Sequence, residues 1–232
     1  MNYSGKQTSQ PVSILRVKNL KDAHFKLEKF DHFTEKGKEK CIEICRTAAA
    51  LFNERGYLST SLSDIARATN MTKGGIYHYF STKEELLFVI LYRYMDKMLE
   101  NLKHKIDLCN SPEEKILVFT QLHIYNYRDN LVESRVLLRE RDNLTPEFLN
   151  LIKDQEREYE EILSHLIESL MKKRKRYCGN IKLMSYCLLG MCNWPFTWFN
   201  PRGKWSADDL SESIYNIFLG GLLSRFGSKP TS

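Results

Sequence analysis

A chain of 232 residues that is 42% apolar and 12% aromatic has enough apolar side chain to bury a core, which excludes a wholly disordered protein. Its net charge of +6 suits a polyanionic partner without requiring one. No run of 18 apolar residues and no leader with an apolar centre occurs, so the expectation is a soluble, cytoplasmic chain that meets no membrane.

Residues 1–34 are Ser/Gln/Asn-rich over their first thirteen positions and then alternate Lys with scattered apolar residues. They read as a flexible extension, with a basic arm that adds phosphate contacts as the alternative. From Glu35 to Arg55 the pattern is helical: Cys41, Ile44, Cys45, Ala48, Leu51 and Phe52 share one face, and Gly56 closes the helix in a left-handed conformation.

The stretch Thr60–Leu87 organises the rest. Ser61 with Asp64 three residues on has the form of a capping box, and Leu62, Ile65 and Ala66 make one apolar face of a short helix. Thr69-Asn70-Met71 breaks the pattern, and Asn tolerates a left-handed turn. Thr72 can cap a second short helix with Lys73, Gly74 and Gly75 in its first turn and Ile76 and Phe80 inward. Two glycines at a helix start permit close approach of something outside, and the free N–H groups there suit an anion. Tyr77 and His78 share an exposed face with Lys73. Ser81 with Glu84, or Thr82 with Glu85, opens a third helix at Lys83.

Gly56-Tyr57, Thr60-Ser61, Asp64-Ile65-Ala66, the run from Thr72 to Phe80 and Lys83-Glu84-Glu85-Leu86 resemble the DNA-binding segment of the TetR family of bacterial transcriptional regulators. The resemblance spans residues 38–90 and departs at Asn70, where the family usually carries Gly. It implies a helix-turn-helix whose recognition helix, Thr72–Tyr79, enters the major groove of a pseudo-palindromic operator in double-stranded DNA. Thr60, Thr72, Tyr77 and Lys83 are then candidates for phosphate contacts, Lys73, Gly74 and His78 for base edges, and Ser61 belongs to the same surface. The resemblance further implies a homodimer joined mostly through the last two helices and a small-molecule pocket in each bundle.

After Lys83 a long helix runs to about Leu108, with Leu86, Leu87, Ile90, Leu91, Tyr94, Met98 and Leu102 on its apolar side. Ser111-Pro112-Glu113-Glu114 restarts a helix with cap, first-turn proline and box glutamate. Leu131–Arg141 is another periodic stretch, and Thr145-Pro146-Glu147 opens the longest helix, which ends in the basic run Lys172–Arg176. That run reads as a solvated helix end favoured by the macrodipole, or as a second nucleic-acid patch or phosphate clamp. Ile181–Trp194 is an apolar helix that Pro195 ends by forcing the preceding residue out of helical geometry. Ser206 with Asp209 caps a last helix carrying Leu210, Ile214, Ile217, Phe218 and Leu222. The segment Gly190–Trp194 through Trp198–Pro201, with Gly203 and Ser206, is similar to the C-terminal region of TetR-family regulators of lipid, steroid and aromatic-acid catabolism. On that resemblance an acyl-coenzyme A thioester is the favoured effector, with Trp194, Phe196, Trp198, Tyr125 and Tyr159 as candidate pocket residues. The same aromatics could instead pack the bundle or the dimer seam.

The resulting architecture is all-α, about nine helices: a head at 35–82 and a ligand-binding and dimerisation bundle at 83–226. The function expected is a repressor released from its operator by a small hydrophobic effector; an efflux-type regulator with a different hydrophobic ligand is the alternative. The six cysteines (Cys41, Cys45, Cys109, Cys178, Cys187, Cys192) show no C-x-x-C and no Cys/His ligand spacing, and several sit on apolar faces as buried free thiols. Thiol-based regulation would need an accessible, electropositive thiol. His24, His32, His104, His123 and His165 have no partner at metal-ligand or triad spacing. No catalytic residue, metal or cofactor is therefore expected, and the chain is not read as an enzyme.

Overall fold

The computed structural model describes residues 33–175 and 179–223. The extension at 1–32, with its alternative of a basic arm, and Arg176 and Cys178 lie outside the described residues. Among those described, all regular structure is helical: α1 (Glu35–Arg55), α2 (Leu62–Ala68), α3 (Lys73–Tyr79), α4 (Lys83–Asp107), α5 (Pro112–Asp129), α6 (Leu131–Glu140), α7 (Pro146–Lys173), α8 (Ile181–Asn193) and α9 (Ala207–Leu223). Two 3-10 turns, Arg141–Asn143 and Trp194–Thr197, follow α6 and α8. None of these helices is long and apolar enough to cross a membrane.

Local chemistry sets the helix starts. Ser61 Oγ accepts from Asp64 N–H while the Asp64 carboxylate accepts from Ser61 N–H, a complete capping box. Ser206 and Asp209 repeat it before α9. At α4 the cap is Thr82, which accepts from Glu85 N–H, while the Glu85 carboxylate reaches one residue further back to Ser81 N–H. The start of α5 uses the same offset, with Ser111 accepting from Glu114 N–H and Glu114 taking Asn110 N–H. Thr145 makes no side-chain cap; its backbone N–H donates instead to Glu84 of α4, tying the start of α7 to the start of the bundle. Asn70 takes a positive φ of 52°, as the turn between α2 and α3 requires. Gly56 also has positive φ (84°), but its ψ of 153° takes the chain away in an extended direction rather than in a left-handed helical one.

Packing follows the apolar faces, with three departures. The first half of α4 is buried without interruption from Leu86 to Tyr92, because α1, α5, α6 and α7 all pack against this helix. Burying such side chains contributes about 1.5–3 kcal/mol each. Tyr94 and Met98, placed by periodicity with the core, are only half-buried and line a cavity. On α9, Phe218 points inward while Ile217 stands 66% exposed. Pro195 does not push Trp194 out of helical geometry: Trp194 keeps φ −53° and ψ −35°, and its N–H still reaches Gly190. The chain tightens into a 3-10 turn instead, which tolerates a proline in its first turn where the N–H has no partner to lose.

Candidate nucleic-acid interface and cavity

The head presents its polar residues on one side of α2 and α3. Lys73, Gly74, Tyr77 and His78 are exposed, as are Ser61 and Thr72. Ser59, Thr60, Ser61, Ser63, Lys73, Tyr77 and Lys83 come together around a shallow concavity of about 340 Å³. Thr72, Gly74 and His78 do not line it. Thr72 caps α3 by accepting from Gly75 N–H at 3.0 Å.

The two glycines of α3 answer to different demands. A Cβ on Gly75 would press on Met71 Cε at 3.2 Å and on the capping hydroxyl of Thr72 at 3.4 Å. A Cβ on Gly74 would meet nothing nearer than that hydroxyl, at 3.9 Å. The fold therefore leaves Gly74 free to vary.

Two candidates for phosphate contact are engaged inside the head. Thr60 is buried, and its hydroxyl donates to the Gly56 carbonyl at 2.9 Å, which ties the loop after α1. Lys83 is half-buried; its Nζ donates to the carbonyls of Tyr57 and Thr60, both at 2.8 Å, and sits 4.2 Å from the centre of the Tyr57 ring. Burial draws its pKa below the usual lysine value. Lys83 thus straps the loop to the start of α4, with one of its three donors left over. Phe33, which sequence reasoning left in the extension, packs its ring 5.9 Å from His78 and 5.1 Å from Tyr79, steadying the end of α3.

A cavity of about 610 Å³ lies among α4, α5, α6, α7 and α8. Met95, Met98, Leu137 and Leu189 supply apolar wall. Four cations, Arg141, Lys153, Arg157 and Lys182, and two carboxylates, Glu156 and Glu160, also line it. Glu156 pairs with Arg141, and Glu160 lies 3.8 Å from Lys182. Lys153, Arg157 and Lys182 are exposed at the mouth; Arg157 pairs with Asp154 at 2.8 Å, which leaves Lys153 as the lining cation with no ion pair among the described residues.

The inner polar groups are buried. His123 Nδ1 lies 3.2 Å from the Tyr159 hydroxyl and Nε2 lies 3.0 Å from Asn193 Oδ1. Burial pushes the pKa of His123 down from 6.5 to about 4, partly opposed by the hydrogen bond that Asn193 Oδ1 accepts from the ring, so the ring is neutral near pH 7. Burial also raises the pKa of Tyr127 and Tyr159, keeping both as hydroxyl donors.

Of the five aromatic residues expected around an effector, Tyr159 alone lines this cavity among the described residues. Trp194 is 67% exposed and Trp198 is also exposed, because the 3-10 turn carries both outward. Phe196 lies with its ring 5.8 Å from the Arg139 guanidinium. Tyr125 bonds to the Asp208 carboxylate with Arg128 over its ring, on the α9 side of α5. His123 and Tyr127, one helical turn apart, were the legible signal on α5; Tyr125, halfway between them in sequence, faces away.

Burial sets two of the thiols apart, while Cys187 is exposed. Cys192 has its pKa raised by burial, and Cys45 has its pKa raised by a hydrogen bond with Cys41 and by burial. A raised pKa withholds the thiolate that redox regulation needs.

Comparison with known proteins converges on one family. The family described as bacterial regulatory proteins, tetR family, matches residues 44–90, and the domain described as tetracyclin repressor-like, C-terminal domain, matches residues 109–222. A regulator of the TetR/AcrR family from Thermobifida fusca is 32% identical, with 79% of this chain and 98% of that one aligned at a TM-score of 0.63. AibR, solved in complex with isovaleryl coenzyme A and operator DNA, is 28% identical over 77% of this chain and 97% of its own, at a TM-score of 0.70. The transcriptional repressor KstR2 of Mycolicibacterium smegmatis is 24% identical over 191 residues, 81% of this chain and 92% of the relative.

Proposed function

The chain belongs to the TetR family of DNA-binding transcriptional regulators, and on that premise we propose that it is a repressor whose homodimer leaves a two-fold operator when an acyl-coenzyme A thioester enters the cavity. The observation that carries this reading is the cavity itself: apolar wall inside, and at the mouth the exposed cations Lys153, Arg157 and Lys182, of which Lys153 has no ion pair among the described residues. That polarity suits an apolar acyl chain inside and phosphates outside. It disfavours the cationic drugs of an efflux-type regulator, since both lining carboxylates already face a cation. AibR, with its isovaleryl coenzyme A, supports the same ligand class.

A path from ligand to DNA runs through packed helices. Tyr94 on the cavity wall bonds Ser134 at 2.7 Å, joining α4 to α6, and α6 packs on α1 of the head. A ligand that shifts Tyr94 would change how α6 seats the head. Lowering operator affinity a hundredfold takes about 2.7 kcal/mol of such coupling. The dimer is assigned to the outward faces of α8 and α9 and the 3-10 turn between them, where Leu183, Ile217 and Trp194 are exposed and a Cβ on Gly220 or Gly221 would meet open space. Two heads so joined would reach successive major grooves about 34–36 Å apart.

The test is operator binding with and without octanoyl-CoA, octanoate and a cationic dye, with tryptophan fluorescence followed in parallel. Release by octanoyl-CoA is the expected result. Release by the dye with none by octanoyl-CoA would overturn the effector class. For the dimer, Ile217→Asp should separate the subunits in sedimentation and abolish tight operator binding. An intact dimer with that change would place the seam elsewhere.

A further inference from the structure

The inner end of the cavity is a circuit of polar groups drawn from three helices. His123 and Tyr127 come from α5, Tyr159 from α7 and Asn193 from the last residue of α8. Asn193 Oδ1 lies 3.0 Å from His123 Nε2 and 3.3 Å from the Tyr127 hydroxyl. A carbonyl oxygen only accepts, so both neighbours donate to it, and Nε2 carries the imidazole proton. Nδ1 is then the bare nitrogen and accepts from the Tyr159 hydroxyl. The polar protons of His123, Tyr127 and Tyr159 are all used within the circuit. What remains is the amide nitrogen of Asn193, whose N–H groups make no hydrogen bond among the described residues and whose side chain lines the cavity.

We infer that Asn193 reads the effector, donating from its amide to an uncharged carbonyl oxygen carried on an apolar body. The inference rests on the effector reading above and narrows it to one functional group. A carboxylate is unsuited to this end of the cavity. The imidazole is neutral, the exposed cations are at the mouth, and the buried Glu160 carboxylate already occupies part of the wall. An alcohol or an amine brings protons of its own that need acceptors, whereas a thioester or ketone oxygen accepts and asks for nothing in return. The circuit has a second consequence: by holding Oδ1, His123 and Tyr127 fix which way the amide faces, so they are positioning residues for Asn193.

Two measurements on the full chain test this. Ring-nitrogen NMR of the ligand-free protein should show His123 as the neutral Nε2–H tautomer. The Nδ1–H tautomer would overturn the inference, because the amide would then turn its oxygen to the cavity. Binding is then compared within two pairs that differ by one carbonyl oxygen: octanoyl-CoA against the thioether S-octyl-CoA, and levulinoyl-CoA against valeryl-CoA. The first pair asks for a thioester carbonyl and the second for a ketone further along the chain. The carbonyl partner of at least one pair should bind about tenfold tighter to the wild type. Asn193→Ala should erase that advantage and leave the other partner's affinity unchanged. If all four probes bind and neither pair differs, the carbonyl reading is wrong while the effector reading survives. If none binds to protein that still holds its operator, both readings fall. The wild-type pairs and the tautomer decide even where Asn193→Ala does not fold.

Discussion

The head and the cavity both collect polar side chains, and they treat them in opposite ways. On α3, Lys73, Gly74, Tyr77 and His78 are exposed, and Lys73 lies no closer than 5.8 Å from the Tyr77 ring centre. At the inner end of the cavity His123, Tyr127, Tyr159 and Asn193 are joined to one another in a low-dielectric setting. Exposed polar groups cost the fold nothing while they wait, because water satisfies them until a partner arrives. Buried ones must be satisfied within the fold, since leaving one unpaired costs about 1–3 kcal/mol. The head is therefore adaptable at its surface and the cavity is preorganised.

That contrast can be broken first at His123. The folded ring has a pKa of about 4 against 6.5 for the free side chain. Between those values the unfolded chain binds the proton and the folded chain does not, so stability is lost as pH falls from about 6.5 to 4, by about 3 kcal/mol. Chemical denaturation of wild type and His123→Gln across that range should show the extra loss only in the wild type. Equal slopes would mean that the ring is solvated and the circuit is not closed.

Lys83 sits between the two regimes, a cation with two donors committed inside. Lys83→Met should lower stability by about 2 kcal/mol through the lost carbonyl contacts. It should also reduce the salt slope of operator binding by about one only if the third donor reaches a phosphate. A loss of stability with an unchanged slope would make Lys83 a strap alone. Lys73→Ala is the opposite case: unchanged stability, with operator affinity reduced by about 1–3 kcal/mol and preference relaxed at one base position. A thermal shift on that change would show that Lys73 is not free in the folded head.

Gly74→Ala makes the smallest and most discriminating change. Because the added Cβ meets nothing nearer than the Thr72 hydroxyl at 3.9 Å, stability should hold or rise, by up to about 1 kcal/mol. Operator binding should still fall, since the methyl would stand where the DNA backbone or a base edge approaches. Unchanged operator affinity would mean that Gly74 does not touch DNA.

The helix plan was legible without coordinates because its determinants are local. Ser61 and Asp64, or Ser206 and Asp209, lie three residues apart and form the same box in any surroundings. The α3 surface was legible for a related reason: a short amphipathic helix has one buried face, and Ile76 with Phe80 identifies it, leaving Lys73, Tyr77 and His78 outside. The cavity could not be read in that way. His123 meets Tyr159 across 36 residues and Asn193 across 70, and no spacing rule links positions that far apart. Aromatic composition did not locate the cavity: three tryptophans crowd residues 194–205, yet Trp194, Trp198 and Trp205 are all exposed. Their rings say that apolar surface must be covered, not whether the cover comes from a ligand or a second subunit. Local hydrogen bonds and periodicity, which depend on neighbours in the chain, thus determined where helices begin and which face turns inward. The direction in which α5, α7 and α8 aim their polar residues, and the space left between them, came only from how the helices pack.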